Sequence, residues 1–457
     1  MDKSVQFNEY RNEYKEFYYN SFSLTEDNEA IYLEYDFEIP NLSKFTPKLR
    51  IMKKNMNFKS IDTVEAKNMA FNIGMIELIS YWKCACPPKI IIKCGYVDEE
   101  QIKFWKKIYF HGLGELFFTN NIKTTMDEFV TIENVLNKNE FRYENISDES
   151  NGYIVPIGGG KDSCVTLETL KINKESDYAL IINPKPVTLK CAEIAGLDSD
   201  HIIEIYRVID KRLIDLNAQG FINGHTPFSA MLAFVSYFTA YLLGKKYIAL
   251  SNENSANESN VVGEKINHQY SKSFEFEADF ENYSSNYLKA PVKYFSFLRP
   301  LNELQIAKIF SKHEKYHPVF KSCNVGSKGA EWKWCCDCAK CLFAYTILSP
   351  FLYKEKLVNI FGEDLFEKES LLQTFIELTG NGDVKPFDCV GTFEEVNFAA
   401  TKTIMNLEEQ NKELPLLLKY YKDNFGLADT SEDITKRYND ENNLTDEQNE
   451  MLRKEVF

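Results

Sequence analysis

Apolar and polar positions follow different periods along the chain, and the first pattern is mixed. Before residue 150, the runs AIYLEYDFEI and KIIIKC predict strands, whereas FNIGMIELISYWKCAC and EEQIKFWKKIYFHGL predict helices. The polar segment ENISDESNG, at 144–152, has the composition of a hinge between regions. We therefore predict an N-terminal α+β region over residues 1–150.

From residue 153 onward, strand and helix patterns alternate. YIVPI, YALII, HIIEIYRV and YIALS predict strands, and SCVTLETLK, KCAEIAG and FSAMLAFVSYFTAYLLG predict helices between them. This alternation is typical of βαβ units around a parallel sheet, so we predict an α/β, Rossmann-like fold over 151–350. Residues 351–457 have a helical period throughout. The charged segment after residue 428 predicts a solvated helix or frayed tail without an assignable function.

Composition excludes several classes of protein. Lys and Arg number 53 against 68 Asp and Glu, and a net charge of −15 repels nucleic acid and anionic lipid. The polar N-terminus lacks the apolar core of a secretory signal, and the nearly apolar run at 229–243 is too short to span a bilayer. We expect a cytoplasmic protein without nucleic-acid or membrane partners, whose eleven cysteines stay reduced or bind metal.

The string GGGKDS, at 158–163, joins a predicted strand to a predicted helix. Glycines let backbone N–H groups approach a phosphate, and the helix N-terminus adds partial positive charge. A Walker loop needs Ser or Thr where Asp162 stands, and a dinucleotide fingerprint needs glycine where Ser163 stands. The string therefore predicts a phosphate site of another kind; the alternative is an ordinary glycine-rich turn with an Asp or Ser N-cap.

This string resembles the PP-loop, SGGxDS, of the ATP pyrophosphatase (adenine nucleotide α-hydrolase-like) superfamily, with Gly158 in place of the first serine. The resemblance implies cleavage of ATP between its α and β phosphates. It also implies that Asp162 handles Mg²⁺ or caps the helix. The implied ATP and phosphate-binding residues are Gly158, Gly159, Gly160, Lys161, Asp162 and Ser163.

Four cysteines, Cys323, Cys335, Cys338 and Cys341, have the spacing C-x11-C-x2-C-x2-C. Two x2 spacings let thiolates converge on one ion, and four thiolates suit a structural, tetrahedral Zn²⁺. Cys336 offers an alternative register to Cys335, and buried free thiols are the alternative to a metal site. The 7-cyano-7-deazaguanine synthases, which are also PP-loop enzymes, resemble this arrangement.

Polar strings occur where loops should follow the core strands, and in open parallel sheets ligands bind beyond the carboxyl ends of strands. The strings are NGHTPFSA, ALSNENSANESNVV, INHQYSKSFEFE and RPLNELQIAKIF. For any single Asn or Ser in them, turn chemistry is the alternative. The candidate substrate-binding residues are Asn252, Asn257, His225, Lys272 and Arg299.

Several long strings, in order from about residue 40 to 395, resemble the UDP-N-acetyl-α-D-muramoyl-L-alanyl-L-glutamate epimerase family. They include ELISYWKCACPP, IYFHGLGELFF, VPIGGGKDS, NHQYSKSFEFE, SCNVGSK, CAKCLF and PFDCVGT. The resemblance implies epimerisation of the terminal L-Glu of UDP-MurNAc-L-Ala-L-Glu to D-Glu in peptidoglycan precursor synthesis, with ATP and Mg²⁺ consumed to give AMP and pyrophosphate. Candidates for the proton-abstracting base are His268, Glu253 and Cys389.

Two other functions remain open at the level of sequence. One is a different PP-loop enzyme: an amidoligase, a tRNA-thiolating enzyme or a nitrile synthase of the deazaguanine type. The other is a non-catalytic, zinc-stabilised scaffold that binds nucleotide without forming AMP. The expected partner in the main interpretation is a small molecule, and the pattern carries no signal for an oligomeric state.

Overall fold

A single mixed sheet forms the centre of the molecule. The computed structural model describes residues 3–137, 150–257, 270–323, 325–326, 333–382, 385–386, 388 and 390–457. Within these residues the sheet has eleven strands, in the order β11-β10-β7-β8-β9-β4-β2-β1-β5-β6, with β3 paired to β2. The strands are β1 Glu16–Glu26, β2 Ala30–Ile39, β3 Ser43–Phe45, β4 Lys48–Met52, β5 Lys89–Ile92, β6 Thr131–Asn134, β7 Tyr153–Pro156, β8 Tyr178–Ile182, β9 Ile202–Val208, β10 Tyr247–Leu250 and β11 Lys293–Ser296.

Helices cover both faces of this sheet and make up the C-terminal part of the chain. They are α1 Lys3–Glu13, α2 Val64–Trp82, α3 Glu99–Gly112, α4 Gly114–Thr119, α5 Lys161–Thr169, α6 Pro186–Ile194, α7 Lys211–Ala218, α8 Phe228–Leu243, α9 Phe274–Tyr283, α10 Glu303–Ser311, α11 Ala339–Leu348, α12 Lys354–Phe361, α13 Leu372–Leu378, α14 Phe393–Glu409, α15 Leu416–Phe425 and α16 Asp446–Val456. The predicted α/β class, with a helical C-terminal region, is confirmed.

The five strands β7 to β11 form the parallel half of the sheet. Neighbouring residues of one strand point to opposite faces: Ile154 packs in the apolar cluster that contains α2 and α8, and Val155 packs in the cluster that contains α10 and α11. Both faces are therefore covered, as expected for a parallel sheet. The order 9-8-7-10-11 reverses its direction of winding between β7 and β10, so the carboxyl ends of these two strands flank a crevice.

The N-terminal strands belong to the same sheet. Strand β4 pairs antiparallel with β9, with Lys48 opposite Val208 and Ile51 opposite Ile205. We call this pairing the seam. The predicted boundary near residue 150 stays a prediction, but strands from both sides of it form one hydrogen-bonded structure.

A buried ion pair stabilises the seam. Arg207 on β9 donates from Nε and Nη2 to the Glu77 carboxylate of α2, at 2.9 and 3.0 Å, and from Nη2 to Ser80 Oγ at 3.0 Å. Lys83, just after α2, donates to the Gly224 carbonyl at 2.6 Å. Burial, together with nearby Arg207, lowers the pKa of Lys83 to about 8.

The apolar run at 229–243 lies within α8, which packs against α2 and against β7 and β10. The expectation of a buried helix is confirmed. Over the part of the chain that the structure describes, no helix is long and apolar enough to cross a membrane.

The C-terminal tail differs from the prediction of a solvated or frayed segment. It contains α16, whose Leu452 is fully buried and whose Gln448 is almost so. Gln448 Nε2 donates to the hydroxyl of Tyr153 on β7, at 3.1 Å. The charged sequence conceals this docking because apolar residues are few in the tail, although Leu452 lies in an apolar cluster and Met451 and Val456 pack against it.

Candidate active site

The glycine loop leaves β7 at the point where the sheet reverses direction. Gly159 has φ +81°, and a Cβ there would approach the side chains of Val187 and Thr188 to 3.1 and 3.3 Å, so glycine is required. Gly160 is the N-cap of α5, and no described side chain caps it. Ser163 Oγ donates to the Gly160 carbonyl at 3.1 Å. The first turn of α5 therefore presents backbone N–H groups, the geometry that suits an anion.

Two cavities flank this loop. The larger, about 320 Å³, lies where β7 and β8 end and where α8 begins. Its lining residues are Pro156, Ile157, Gly158, Leu180, Ile182, Asn183, Lys185, Thr188, Phe228 and Leu232. A cavity of this size with apolar walls and a few polar groups is typical of small-molecule sites.

The smaller cavity, about 80 Å³, is strongly charged. Its lining residues are Lys161, Asp162, Glu253, Lys272, Glu303, Phe320, Ser322, Lys340, Phe343 and Ala344. These residues come from α5, from the segment after β10, from the start of α10, from the segment that enters the cysteine cluster and from α11. The carboxyl edge thus brings together three carboxylates and three ammonium groups that are far apart in sequence.

Lys161 is central to that charged group. Its ammonium contacts Asp162 Oδ1 at 2.6 Å and also Glu303 Oε2, and its side chain is 8% exposed. Burial opposes the positive charge, but the two carboxylates outweigh it and raise the pKa of Lys161. Lys161 therefore stays protonated at neutral pH, so phosphate can approach a fixed positive charge without a change of protonation.

Glu303 and Glu395 were missed by the sequence reasoning. Burial raises the pKa of Glu303 well above its ordinary value, and Asp162, Glu253 and Glu395 add to the increase while Lys161 opposes it. Glu395, at the start of α14, accepts the Glu303 backbone N–H at 2.7 Å and thereby holds the start of α10. The string RPLNELQIAKIF carried a signal for Glu303, since it follows β11, but a lone glutamate at a helix start is ordinary.

Arg299, a predicted substrate-binding residue, lies behind the smaller cavity. It is fully buried, donating from Nη1 to the Glu253 carbonyl at 2.8 Å and from Nη2 to the Lys272 carbonyl at 2.5 Å. Nη2 also reaches Ser296 Oγ at 3.1 Å and Glu277 Oε2 at 3.4 Å. These contacts fix the backbone of two residues that line the smaller cavity, and the predicted substrate role of Arg299 stays a prediction.

The other predicted substrate residues lie around the same edge. Asn252 is buried and donates to Ser296 Oγ at 3.0 Å, Asn257 ends a 3₁₀ turn, and Lys272 lines the smaller cavity. His225 is exposed in the loop before α8, whose first residue, Phe228, lines the larger cavity. These placements leave the predicted roles as predictions.

Of the three base candidates, only Glu253 is among the described residues. It is 6% exposed, lines the smaller cavity, and accepts a long hydrogen bond from Ser255 Oγ at 3.4 Å. His268 and Cys389 lie outside the described residues.

The cysteine cluster has the geometry of a metal site. The sulfur atoms of Cys323, Cys335, Cys338 and Cys341 all lie within 4.8 Å of one another. The Sγ–Sγ distances include 3.5, 3.7 and 3.9 Å, near the roughly 3.8 Å that tetrahedral Zn–S bonds of about 2.3 Å require. The hydrogen bond between Cys338 and Cys341 lowers the pKa of the Cys338 thiol to about 5. The donor set fits one Zn²⁺ in a closed shell.

The open choice between Cys335 and Cys336 is decided by the backbone. Cys336 has φ +57°, and its Sγ donates to the Phe361 carbonyl at 3.0 Å, away from the cluster. The cluster also packs against the glycine loop: Lys321 N donates to the Gly159 carbonyl at 2.8 Å, and a Cβ on Gly160 would lie 3.5 Å from Ser322 Cβ. The segment that enters the cysteine cluster therefore also forms one wall of the candidate site.

Comparisons with known proteins agree with this geometry. The MurL N-terminal domain model matches residues 8–297, and the MurL C-terminal domain model matches residues 319–433. The chain is 33% identical over 340 residues to a UDP-N-acetyl-alpha-D-muramoyl-L-alanyl-L-glutamate epimerase of Xanthomonas oryzae pv. oryzae, which covers 71% of each chain. Proteins of the same name from Micromonospora sp. and Salinispora tropica are 33% and 32% identical, each over 327 residues and 71% of this chain, and these matches cover 72% and 70% of the relatives.

Proposed function

Because the chain belongs to the MurL family, we propose that it epimerises the terminal L-Glu of UDP-MurNAc-L-Ala-L-Glu to D-Glu with consumption of ATP. The observation that carries the ATP-dependent part is the juxtaposition of a glycine loop, at the winding reversal of the sheet, with a charged cavity. The reaction belongs to peptidoglycan precursor synthesis, and the UDP-linked substrate places it in the cytoplasm.

We propose that the glycine loop binds the ATP phosphates. Backbone N–H groups from Gly158 to Ser163 and the positive end of α5 face the crevice, and Lys161 adds a fixed positive charge. Asp162, whose side chain is 32% exposed, offers a carboxylate oxygen for Mg²⁺, a cation that prefers such ligands. Bound Mg²⁺ would neutralise charge on the phosphates.

Activation of the substrate explains why a nucleotide is consumed. An oxygen of the glutamate α-carboxylate attacks the α phosphorus, the bond to the bridging oxygen breaks, and pyrophosphate leaves. The resulting acyl-adenylate is no longer negatively charged at its carbonyl, so loss of the Cα proton avoids a second adjacent negative charge. After reprotonation from the opposite face, water cleaves the acyl-adenylate to give the D-Glu product and AMP.

Proton transfer at Cα is assigned to the carboxylates of the smaller cavity. Glu253 is the proposed base among the described residues, and His268 and Cys389 stay candidates beside it. The Glu303 carboxylate contacts the Lys161 ammonium. We therefore assign Glu303 to holding Lys161 rather than to direct contact with the substrate. Asn252, Asn257, His225 and Lys272 are the proposed substrate contacts, and Arg299 fixes two of the loops that carry them.

One assay separates this function from the alternatives. The protein is incubated in D₂O with ATP, Mg²⁺ and UDP-MurNAc-L-Ala-L-Glu, and AMP, pyrophosphate, deuterium at Cα and the chirality of the glutamate are followed. The proposal predicts all four signals together. AMP without deuterium at Cα indicates a different PP-loop enzyme, and bound ATP without AMP indicates a nucleotide-binding scaffold.

A further inference from the structure

The chain after residue 433 crosses the carboxyl edge of the sheet beside the candidate site. We call residues 434–457 the C-terminal strap. Both family models end before it, at residue 433 at the latest. Asn439 donates from its backbone to the Pro300 carbonyl at 3.0 Å and from Nδ2 to Asn254 Oδ1 at 2.9 Å. The strap therefore contacts the loops after both β10 and β11.

The strap is fixed at several points along its length. Asn302 Nδ2 donates to the Ile434 carbonyl at 2.7 Å, and Gln305 Nε2 donates to the Arg437 carbonyl at 2.5 Å. Farther along, Leu452 is fully buried in the apolar cluster that contains α10 and α11. These contacts use the start of α10, which is also the helix that carries Glu303 toward Lys161.

A chain of hydrogen bonds runs from the strap into the charged cavity. Asn443 Nδ2 donates to Glu277 Oε1 at 3.0 Å. Glu277 Oε2 accepts from Ser296 N at 3.1 Å and from Arg299 Nη2 at 3.4 Å. Arg299 in turn holds the carbonyl groups of Glu253 and Lys272.

Asn443 donates a hydrogen bond to the Glu277 carboxylate at a place that is almost inaccessible to water. Glu277 is 1% exposed, and burial raises its pKa even though Arg299 and the Ser296 contacts oppose the increase. A buried carboxylate that loses a donor shifts toward its neutral form or moves toward another donor. Either change alters the partner of Arg299, and the two carbonyl groups that Arg299 holds are then less firmly placed.

We propose that the C-terminal strap is a positioning element of the active site, acting through Asn443 and Asn439 to keep Glu253 and Lys272 in place for proton transfer at Cα. Neither asparagine lines either of the two cavities that flank the glycine loop. The proposal rests on the epimerase function for its catalytic part, whereas its structural part, the ordering of the two loops by the strap, holds independently of the reaction.

The test is Asn443→Ala in the full chain, with Asn424→Ala as the matched control. Asn424 is exposed, and its Nδ2 donates only to the Tyr420 carbonyl of its own helix among the described groups. We expect Asn443→Ala to lower kcat for deuterium incorporation at Cα by about tenfold, the worth of one hydrogen bond to a buried charge. The KM for ATP should stay within about twofold, since the glycine loop is not touched. Asn439→Ala should show a smaller loss in the same direction.

A second readout does not depend on activity. Amide hydrogen exchange should become faster at residues 251–254 and 271–273 in Asn443→Ala, while the seam strands at 48–52 and 202–208 keep wild-type protection. The control Asn424→Ala should match wild type in both measurements.

Two results would overturn the proposal. One is wild-type kcat in both Asn443→Ala and Asn439→Ala at a temperature where each is fully folded. The other is unchanged exchange at 251–254 and 271–273. If wild type forms no AMP, the proposed function fails, and the exchange measurement still decides whether the strap orders the loops.

Discussion

Two buried arginine–glutamate pairs lie in different regions of the sheet and use their charges differently. At the seam, Arg207 directs Nε and Nη2 to Glu77, at 2.9 and 3.0 Å. At the site edge, Arg299 directs its closest contacts to backbone carbonyls and meets Glu277 only at 3.4 Å. The first pair fixes a helix against a strand, so it serves stability. The second fixes two loops, so it serves the placement of Glu253 and Lys272.

The largest expected effect tests whether the part of the candidate site beside the cysteine cluster depends on a bound metal ion. Cys338→Ser removes one of four thiolates, and we expect zinc to fall from roughly one per chain to near zero because a structural site needs its full shell. Thermal stability and AMP formation should both fall strongly, since the segment entering the cluster contacts the glycine loop. Metal analysis of protein purified without chelators, together with calorimetry, checks this.

Cys336→Ser is the matched control for that experiment. Its sulfur points to the Phe361 carbonyl and not to the cluster, so zinc content should stay at the wild-type value. Loss of zinc in Cys336→Ser, or its retention in Cys338→Ser, would show that the ligand set is different.

Arg299→Lys tests the role of the arginine–glutamate pair at the candidate site. A lysine ammonium cannot reproduce the fork geometry that reaches the carbonyls of Glu253 and Lys272 together. We expect kcat to fall by about 10- to 100-fold, corresponding to the loss of about 1.5–3 kcal/mol of hydrogen bonding to a charged group. Steady-state kinetics on protein that calorimetry shows to be folded provides the measurement, and an unchanged kcat would contradict a positioning role.

The same substitution at the seam should have the opposite profile. Arg207→Lys weakens the contact with Glu77, so we expect a loss of about 1–3 kcal/mol in the free energy of unfolding with kcat nearly unchanged. Denaturant unfolding and steady-state kinetics measure the two quantities. If kcat fell as far as in Arg299→Lys, the division of roles between the two pairs would be wrong.

The smallest expected effect is a pH dependence that arises from Lys83, just after α2. The pKa of Lys83 is about 8 in the folded chain and about 10.4 in an unfolded one. Between these values the unfolded chain binds more protons, so the contribution of Lys83 makes the free energy of unfolding rise with pH, by about 1–3 kcal/mol.

Lys83→Met should remove that increase. The measurement is denaturant unfolding at pH 8 and at about pH 10, compared with wild type. The exposed Lys103 on α3 offers a control, since Lys103→Met should keep the wild-type increase. An increase that persists in Lys83→Met would have to come from other groups.

Local pattern was enough for much of the fold and for part of the site. The strands around YIVPI, YALII and YIALS and the apolar helix after residue 228 were predicted because each has its own period. GGGKDS also indicated the strand–loop–helix unit that the structure contains. The spacing predicted a cluster of four cysteines that could hold a metal, with Cys336 left open as an alternative to Cys335.

Long-range strand pairings and details of backbone conformation could not be predicted from local sequence patterns. The seam pairs residue 48 with residue 208, and no local feature of either strand predicts the strand with which it pairs. The exclusion of Cys336 depends on one backbone angle. Arg299 was predicted to bind substrate because it follows a core strand; its burial among carbonyl groups depends on loops from two other parts of the chain.

The docking of α16 has a consequence for the order of biosynthesis. Asn439 and Asn443 contact Asn254 and Glu277, which are translated 185 and 166 residues earlier, respectively. A nascent chain can therefore form its sheet and its glycine loop while these two contacts are still missing. These partners of the two loops become available only after residue 443 has been translated.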